Sequence, residues 1–226
     1  MTTNILHFED IILSKIKFKK MYSSSSNFSK VGIKYRKHNL IIQAPKLFIP
    51  YDLQFYGYCE NNTKCYIYLS LSNYESQKEV GDFCNKIHAI EQLVRKKYRR
   101  KCYLKRKRKF SDTIKNDMYK NLSLKIRIPF YKENPMIKVF NQDKKEINFD
   151  DINAKMYCET LLCIEGVWFF NDTFGLTINL LQIKLDIPIL IEEYSFSNKD
   201  QNNTNIYRND PAYKTYFKML KMGIPI

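Results

Sequence analysis

Strict alternation of apolar and polar residues recurs along the chain and predicts strands with one buried face. In the stretch KCYIYLSLS, which begins at Lys64, the apolar side chains fall on one face, and Tyr66 and Tyr68 fall on the other. The stretch LSLKIRIPF repeats this pattern and puts Lys125 and Arg127 on its polar face. A two-residue period is that of a half-buried strand. Both strands are therefore expected to pack on a core and to show aromatic and basic side chains to solvent.

Further extended segments are expected on both sides of these two strands. They are a strand at 11–20, a hairpin that turns near 37–39, a strand at 136–140, a long strand or strand pair at 158–170 with Gly166 as the bend, and a final strand at 176–187. A serine-rich stretch at 21–30 is predicted to be a loop. In the final strand the polar positions change parity at Leu180 and Leu181, so a β-bulge is expected there to keep the apolar set on one face.

One long segment has a helical period instead. Apolar residues recur there at a spacing of three or four, namely Val80, Phe83, Ile87, Ile90 and Val94. This spacing predicts a helix from about residue 77 to about residue 100. Alternating strands resume at Leu122, so 75–120 is interpreted as a helical basic insertion within a single domain at 1–205. In the tail, 206–226, Asp210 and Pro211 suit a helix start and predict a short amphipathic helix.

These elements together favour an all-β fold, an OB-like antiparallel barrel with a basic helical insertion and a short C-terminal helix. Five or more curved antiparallel strands with one helical excursion are typical of that class. The 17 tyrosines and 15 phenylalanines of the 226 residues also favour strands over helices.

Charge is concentrated in one segment, which we call the basic run (95–109). The chain has 38 Lys and Arg against 23 Asp and Glu, a formal net charge of +15. The basic run has no acidic residue, and its basic residues are Arg95, Lys96, Lys97, Arg99, Arg100, Lys101, Lys105, Arg106, Lys107, Arg108 and Lys109. Such density predicts an anionic partner whose binding weakens steeply with salt. A nuclear localisation signal or a solvated helix end is the alternative.

Basic residues also neighbour tyrosines on the predicted strands. The candidates for nucleic-acid contact outside the basic run are Lys34, Tyr35, Arg36, Lys64, Tyr66, Tyr68, Lys125 and Arg127. Lysine and arginine would hold phosphates, and the three tyrosines would stack on bases. Stacking needs unpaired bases, so the expected partner is single-stranded. The alternative is an ordinary solvent face of a sheet.

Catalytic and metal-binding patterns are not found in the sequence. The three histidines are scattered, none of the six cysteines forms a C-x-x-C pair, and no phosphate-binding glycine loop occurs. We expect a protein that is not an enzyme and needs no metal or cofactor. No apolar run approaches the roughly 20 residues of a membrane helix. The N-terminus lacks the pattern of a signal peptide, so a reducing intracellular location without membrane contact is expected.

The block GVWFFNDTFGL, together with KVGIKYRKHNLIIQAPKLFIPYDL and LKIRIPF, carries a family resemblance. The chain resembles the single-stranded DNA-binding proteins of nucleocytoplasmic large DNA viruses, a group similar to the OB-fold replication proteins of podovirus-type phages. The resemblance covers about 11–187, with the helical insertion loosely matched. It implies an OB barrel and sequence-independent binding of single-stranded DNA in replication, recombination or repair.

The resemblance further implies replication-fork partners, a homo-oligomer, and work at a viral replication site in the host cytoplasm or in the nucleus. The phage proteins end in an acidic tail, whereas 192–226 of this chain has a net charge of +1. The role of Trp168 stays open between core and base stacking, with core favoured.

Two other functions remain compatible with the sequence. One is packaging of double-stranded DNA or RNA, in which the basic run does all the binding. The other is an interaction module whose basic run is a targeting signal.

Overall fold

The computed structural model describes residues 5–25, 27–56, 64–99, 109–116 and 121–187. The strands are β1 (Ile5–His7), β2 (Ile16–Phe18), β3 (Tyr22–Ser25), β4 (Phe28–Tyr35), β5 (Leu40–Gln43), β6 (Leu47–Ile49), β7 (Gln54–Tyr56), β8 (Lys64–Ser70), β9 (Lys109–Ser111), β10 (Ile114–Asn116), β11 (Leu122–Ile128), β12 (Phe130–Tyr131), β13 (Asn134–Pro135), β14 (Lys138–Phe140), β15 (Glu146–Ile147), β16 (Met156–Phe170) and β17 (Thr173–Asp186). The α-helix is α1 (Lys78–Arg99), and short 3-10 turns lie at Phe8–Asp10, Leu13–Lys15 and Phe149–Asp151.

Five of these strands close into a barrel. β16 pairs with β6, β6 with β8, β8 with β11 and β11 with β17, and the β16–β17 pairing completes the ring. The predicted all-β, OB-like barrel with a helical insertion is therefore confirmed. The expected face of β8 and β11 is also present, because Cys65, Ile67, Leu69, Leu124 and Ile126 are completely buried inside the barrel.

The helix α1 provides much of the remaining core. Its apolar stripe is buried as its period predicts, with Phe83, Ile87 and Ile90 fully inaccessible to solvent. The Phe83 ring meets the Phe8 ring edge-on at 5.5 Å, and the Tyr98 ring meets Phe169 of β16 at 5.2 Å. The helix thus contacts both the first 3-10 turn and β16. Its predicted bounds of 77 and 100 each lie within one residue of the observed ends.

Two register shifts lie in the β16–β17 ladder, and β16 pairs with several other strands on either side of its bend. Leu161 lies opposite Gln182 and Leu162 lies opposite Leu180, so Leu181 is the extra residue of a bulge. This confirms the bulge expected from the parity change. A second register shift lies between Ile164 and Gly166, at the predicted bend. Beyond that bend β16 pairs with β4, and before it β16 pairs with β5 and β6.

Gly166 is required at the bend because of a close approach between backbones. A β-carbon added there would lie 2.2 Å from the Val31 carbonyl oxygen on β4, and backbone cannot move aside as a side chain can. We expect Gly166→Ala to destabilise the fold by about 1–3 kcal/mol, as overpacking does. Chemical denaturation measures this. Gly32→Ala is the matched control, since its β-carbon would meet only the flexible side chain of Lys19, at 3.2 Å. Equal loss of stability in both variants would contradict the assignment.

Several sequence predictions in the N-terminal part were wrong. The predicted strand at 11–20 is a 3-10 turn at Leu13–Lys15 followed by the short β2. The predicted loop at 21–30 contains β3 and the start of β4, which pair with each other. The serine content favoured a loop in the sequence. In the structure Ser23 and Ser29 lie opposite one another on paired strands, with their hydroxyl oxygens 2.9 Å apart.

The predicted hairpin is also different from expectation. Its turn is present and includes Arg36 at a φ of 56°. However, β4 and β5 do not pair into a ladder, because both pair with β16 on either side of its bend. The predicted tail helix at 206–226 and residues 100–108 of the basic run lie outside the described residues. The assignment of 1–205 to one domain stays a prediction.

Candidate nucleic-acid interface

A groove of about 620 Å³ crosses the outer face of the barrel. It passes over β4, β16, β17, β11 and β8, which are consecutive neighbours. The lining residues are Phe28, Lys30, Lys64, Tyr66, Ser111, Asp112, Thr113, Lys115, Lys125, Arg127, Trp168, Phe170, Leu176, Thr177 and Ile178. From β16 to β8 there are three steps between neighbouring strands, or roughly 14 Å. The groove therefore has room for an extended chain of planar groups.

One end of the groove is a cluster of tyrosines around a lysine. The ammonium nitrogen of Lys125 lies 4.0 Å from the ring centroid of Tyr66, 5.1 Å from that of Tyr56 and 5.6 Å from that of Tyr68. This arrangement arises because Lys125 lies opposite Tyr68, and Arg127 lies opposite Tyr66, on the β8–β11 ladder. Cation–π attraction to three rings holds the lysine in place. A positive charge is thereby fixed in the middle of an aromatic surface.

Two tyrosines of this cluster, Tyr56 and Tyr66, have a raised pKa and stay neutral near physiological pH. A side-chain hydrogen bond with Tyr68 is the main cause that raises the pKa of Tyr56. Burial is the main cause that raises the pKa of Tyr66. Because both hydroxyls hold their protons, neither adds a negative charge that would repel a phosphate.

The other end of the groove is formed by aromatic side chains of β16. Val167 and Phe169 point into the core, 1% and 2% exposed, so Trp168 and Phe170 point outwards. The indole of Trp168 packs on Gly175, and its ring N–H donates a hydrogen bond of 3.2 Å to the Leu176 carbonyl. Phe170 is 49% exposed. The indole is thus held by structural contacts and also lines the groove, so the favoured interpretation of Trp168 as core alone was incomplete.

Charge in the groove is strongly one-sided. Its basic lining residues are Lys30, Lys64, Lys115, Lys125 and Arg127, and its acidic lining residue is Asp112. The guanidinium of Arg95, on α1, forms an ion pair with Asp112. The groove therefore attracts an anion, and the carboxylate of Asp112 is partly neutralised by Arg95.

The helix α1 fixes the wall of the groove at 111–115. Glu91 is 1% exposed, and its carboxylate accepts the backbone N–H of Thr113 at 2.6 Å. Arg95 holds Asp112 and also lies over the Phe110 ring, at 4.2 Å from the centroid. β9 then pairs with β17, and β10 pairs with β11. These contacts hold residues 110–116, which follow the basic run, beside the groove.

Asp112 opposes anion binding, and its removal should therefore strengthen the binding of an anionic ligand such as a nucleic acid. We expect Asp112→Asn to raise affinity for oligo-dT by about two- to fivefold at low salt, because it removes an exposed carboxylate from the groove and releases Arg95. Fluorescence anisotropy measures the change. Asp143→Asn is the control, since Asp143 is exposed in the turn after β14 and outside the groove. Unchanged or weaker binding by Asp112→Asn would contradict this role.

The predicted strand residues lie in three places: in or beside the groove, at the end of β4, and, for Tyr35, in the core. Lys64, Tyr66, Lys125 and Arg127 line the groove, and Tyr68 lies beside Tyr66 on the same face of β8. Lys34 and Arg36 lie at the end of β4, away from the groove lining, and Lys34 donates a hydrogen bond to Asn39.

The prediction that Tyr35 stacks on a base was wrong. It is 3% exposed, and its hydroxyl donates to the Asp10 carbonyl and accepts the Ile12 N–H. Alternation along β4 puts every second residue inside, and Tyr35 shares that face with Val31 and Ile33.

The described part of the basic run is distributed over several partners. Arg95 binds Asp112, and Lys97 lies 4.4 Å from the centroid of Phe18. Lys96 and Lys109 are exposed. The side chain of Arg99 and the residues Arg100, Lys101, Lys105, Lys107 and the others of 100–108 lie outside the described residues, so the phosphate contacts predicted for them stay predictions.

Sequence reasoning missed several lining residues of the groove, namely Phe28, Lys30, Lys115 and Phe170, and also Tyr56 of the tyrosine cluster. It had left the role of Trp168 open. Trp168 and Phe170 lie in an unbroken apolar stretch, where alternation cannot say which face is outside. Phe28 and Lys30 were missed because the start of β4 was interpreted as a loop. A basic residue two positions after an aromatic one, and so on the same face of a strand, was the signal at 28–30.

The described cysteines are buried and do not form a reactive or metal-binding cluster. Cys65, Cys84, Cys158 and Cys163 are free thiols, and burial raises the pKa of Cys65 to about 12. Within 5–25, 27–56, 64–99, 109–116 and 121–187, no three side chains of His, Cys, Asp or Glu gather as a metal site. No helix in that part of the chain is long and apolar enough to span a bilayer.

The fold and the groove define an OB-like barrel protein with a basic, aromatic outer face. The chain belongs to the Family of unknown function (DUF5871), whose profile matches residues 76–198, slightly more than half of the chain. None of the curated proteins matches the sequence.

Solved structures similar to this fold include single-stranded DNA-binding proteins of two bacteriophages. The protein gp2.5 of bacteriophage T7 is 8% identical, with a TM-score of 0.47 over 74% of this chain and 97% of that chain. The protein of bacteriophage Enc34 is 14% identical, with a TM-score of 0.43 over 81% of this chain and 98% of that chain. The same Enc34 protein in complex with single-stranded DNA has a TM-score of 0.40.

Proposed function

We propose that the protein binds single-stranded DNA without sequence preference, through the groove on the outer face of its barrel. The observation that carries this proposal is the combination of outward aromatic rings with basic side chains in one continuous groove. Rings at both ends, such as Trp168 and Tyr66, offer flat faces to bases. Lys30, Lys64, Lys115 and Arg127 are placed between and beside them to hold phosphates.

This combination favours a single strand over a duplex. Stacking on a protein ring requires a base that is not covered by its neighbours, and each such contact contributes about 1–3 kcal/mol for any base. Phosphate contacts add affinity but carry no sequence information. A groove made of rings and cations, with Asp112 as its acidic lining residue, therefore selects unpaired strands and tolerates any sequence.

The biological role extends this proposal. A sequence-independent single-strand binder protects and organises DNA during viral replication, recombination or repair, without catalysing a reaction itself. We place it at the viral replication site in the host cytoplasm or in the nucleus, acting as a homo-oligomer with proteins of the replication fork. The resemblance of the GVWFFNDTFGL block supports the viral assignment.

Fluorescence anisotropy with labelled oligo-dT of about 30 nucleotides tests the proposal, with duplex DNA of equal length as competitor at about 50 and 200 mM salt. We expect a preference for the single strand that persists at the higher salt. Equal binding of both forms that collapses with salt would replace it with packaging driven by the basic run. No binding at physiological salt would favour an interaction module.

A further inference from the structure

A second, smaller pocket of about 290 Å³ lies on the outer face of the barrel at the other end of β8. We call it the Phe48 pocket. Its lining includes the rings of Phe48 and Tyr157 and the polar side chains of Ser70, Ser72, Asn73 and Asn121. The two ring centroids are 5.2 Å apart, with an angle of 56° between the ring planes. Tyr157 is 48% exposed, so this platform is open to solvent.

The outward side of β8 connects this pocket with the groove. Lys64 and Tyr66 line the groove, Ser70 lines the Phe48 pocket, and Tyr68 lies between them on the same face. From Tyr66 to Ser70 the distance along the strand is roughly 13 Å. Phe48 of β6 lies directly opposite Ser70, and Tyr157 of β16 lies directly opposite Phe48. Aromatic rings therefore continue across β8, β6 and β16 without a change of face.

The chemistry of the pocket differs from that of the groove. Among the described residues, neither a basic nor an acidic side chain lines it, and its polar groups are hydroxyls and amides. The hydroxyl oxygens of Ser70 and Ser72 are 2.9 Å apart. The nearby Lys46 lies over the Tyr157 ring, but its charge is paired with Asp186. Hydroxyls and amides both donate and accept hydrogen bonds, as the edges of bases do. The pocket thus suits a neutral planar group better than a phosphate.

We propose that the Phe48 pocket binds an unpaired base of the same DNA strand that fills the groove. The strand leaves the groove at Tyr66, follows β8 past Tyr68 and places a base against Phe48 and Tyr157. This inference rests on the proposed function, and it extends the footprint of the protein beyond the groove.

Oligonucleotides of two lengths test the inference. Oligo-dT of about 6 nucleotides can fill the groove alone, whereas about 16 nucleotides can reach the pocket, within the range that OB barrels occupy. We expect Tyr157→Ala to weaken binding of the longer strand by about 5- to 150-fold and to leave the shorter strand unaffected. Tyr131→Ala is the matched control, because Tyr131 is 62% exposed and lines neither site.

Photocrosslinking of the unaltered protein gives an independent readout. The longer strand carries 5-iodouracil at one end or the other, and the crosslinked residue is identified by peptide mapping. We expect a crosslink to Tyr157 or Phe48 from one end only. This measurement decides the matter even if Tyr157→Ala fails to fold.

The outcomes separate the inference from the function on which it rests. Equal weakening for both lengths would mean that Tyr157 acts on the groove, and an unchanged affinity without a crosslink would mean that the pocket takes no base. Either result overturns the inference while the binding of single strands stands. If the unaltered protein binds neither length, the proposed function fails and the inference fails with it.

Discussion

Replacing Tyr66 and Phe170 together by alanine is expected to lower the affinity for oligo-dT by roughly 30- to 20,000-fold. Each ring stacked on a base contributes about 1–3 kcal/mol, and two rings at opposite ends of the groove together contribute about 2–6 kcal/mol. Phe170 is 49% exposed, and Tyr66 is half-buried on the outer face, so the core residues Val167 and Ile67 keep their packing. Anisotropy with oligo-dT and with duplex DNA measures the decrease.

Binding to duplex DNA shows whether the two rings stack on bases or only stabilise the fold. Duplex bases are covered, so the double variant is expected to bind duplex DNA as the unaltered protein does. The matched control removes one tyrosine and one phenylalanine elsewhere, Tyr131 and Phe55, which are 62% and 45% exposed and outside the groove lining. A decrease for single strand and duplex alike, or the same decrease in the control, would show that the rings contribute to stability and not to stacking.

The barrel could be predicted because its signals are local and repeated. Two strands with a strict period of two fixed the buried face of β8 and β11, and these bring Tyr66 and Lys125 to one surface. The parity change at Leu180 and Leu181 located the bulge, whose extra residue is Leu181. In each case a few neighbouring residues carry the information, because alternation is set by the geometry of a single strand.

The rest of the groove could not be predicted because it depends on residues distant in sequence. The wall at 111–115 is held by Glu91 and Arg95 of α1, and no pattern in the sequence links these segments. The outward side of β16 is also not encoded locally, since Val167 to Phe170 are all apolar. Its orientation is decided by the core, where the Phe169 and Phe174 rings stack at 5.6 Å. The prediction for Tyr35 failed for a related reason, because Lys34 lies on the opposite face of β4 while Tyr35 faces the core.

Removing four positive charges from the groove is expected to flatten the salt dependence of DNA binding. The variant replaces Lys30, Lys64, Lys115 and Arg127 by alanine and keeps Lys125, whose ammonium group holds the tyrosine cluster. For single strands, the slope of log affinity against log salt changes by about 0.7 for each phosphate that the protein no longer neutralises. Four phosphates therefore correspond to a slope change of up to about 3, and to a decrease in affinity of up to roughly 600-fold near 0.1 M salt.

Four charges of the basic run provide the matched comparison. Replacing Lys105, Arg106, Lys107 and Arg108 by alanine removes the same charge from the basic run. If the groove holds the strand, the groove variant loses its preference for oligo-dT over duplex DNA, whereas the variant of the basic run weakens both ligands by a similar factor and keeps the preference. The reverse pattern, in which the groove variant is unchanged and the variant of the basic run no longer binds DNA, would assign DNA binding to the basic run and leave the barrel as a scaffold.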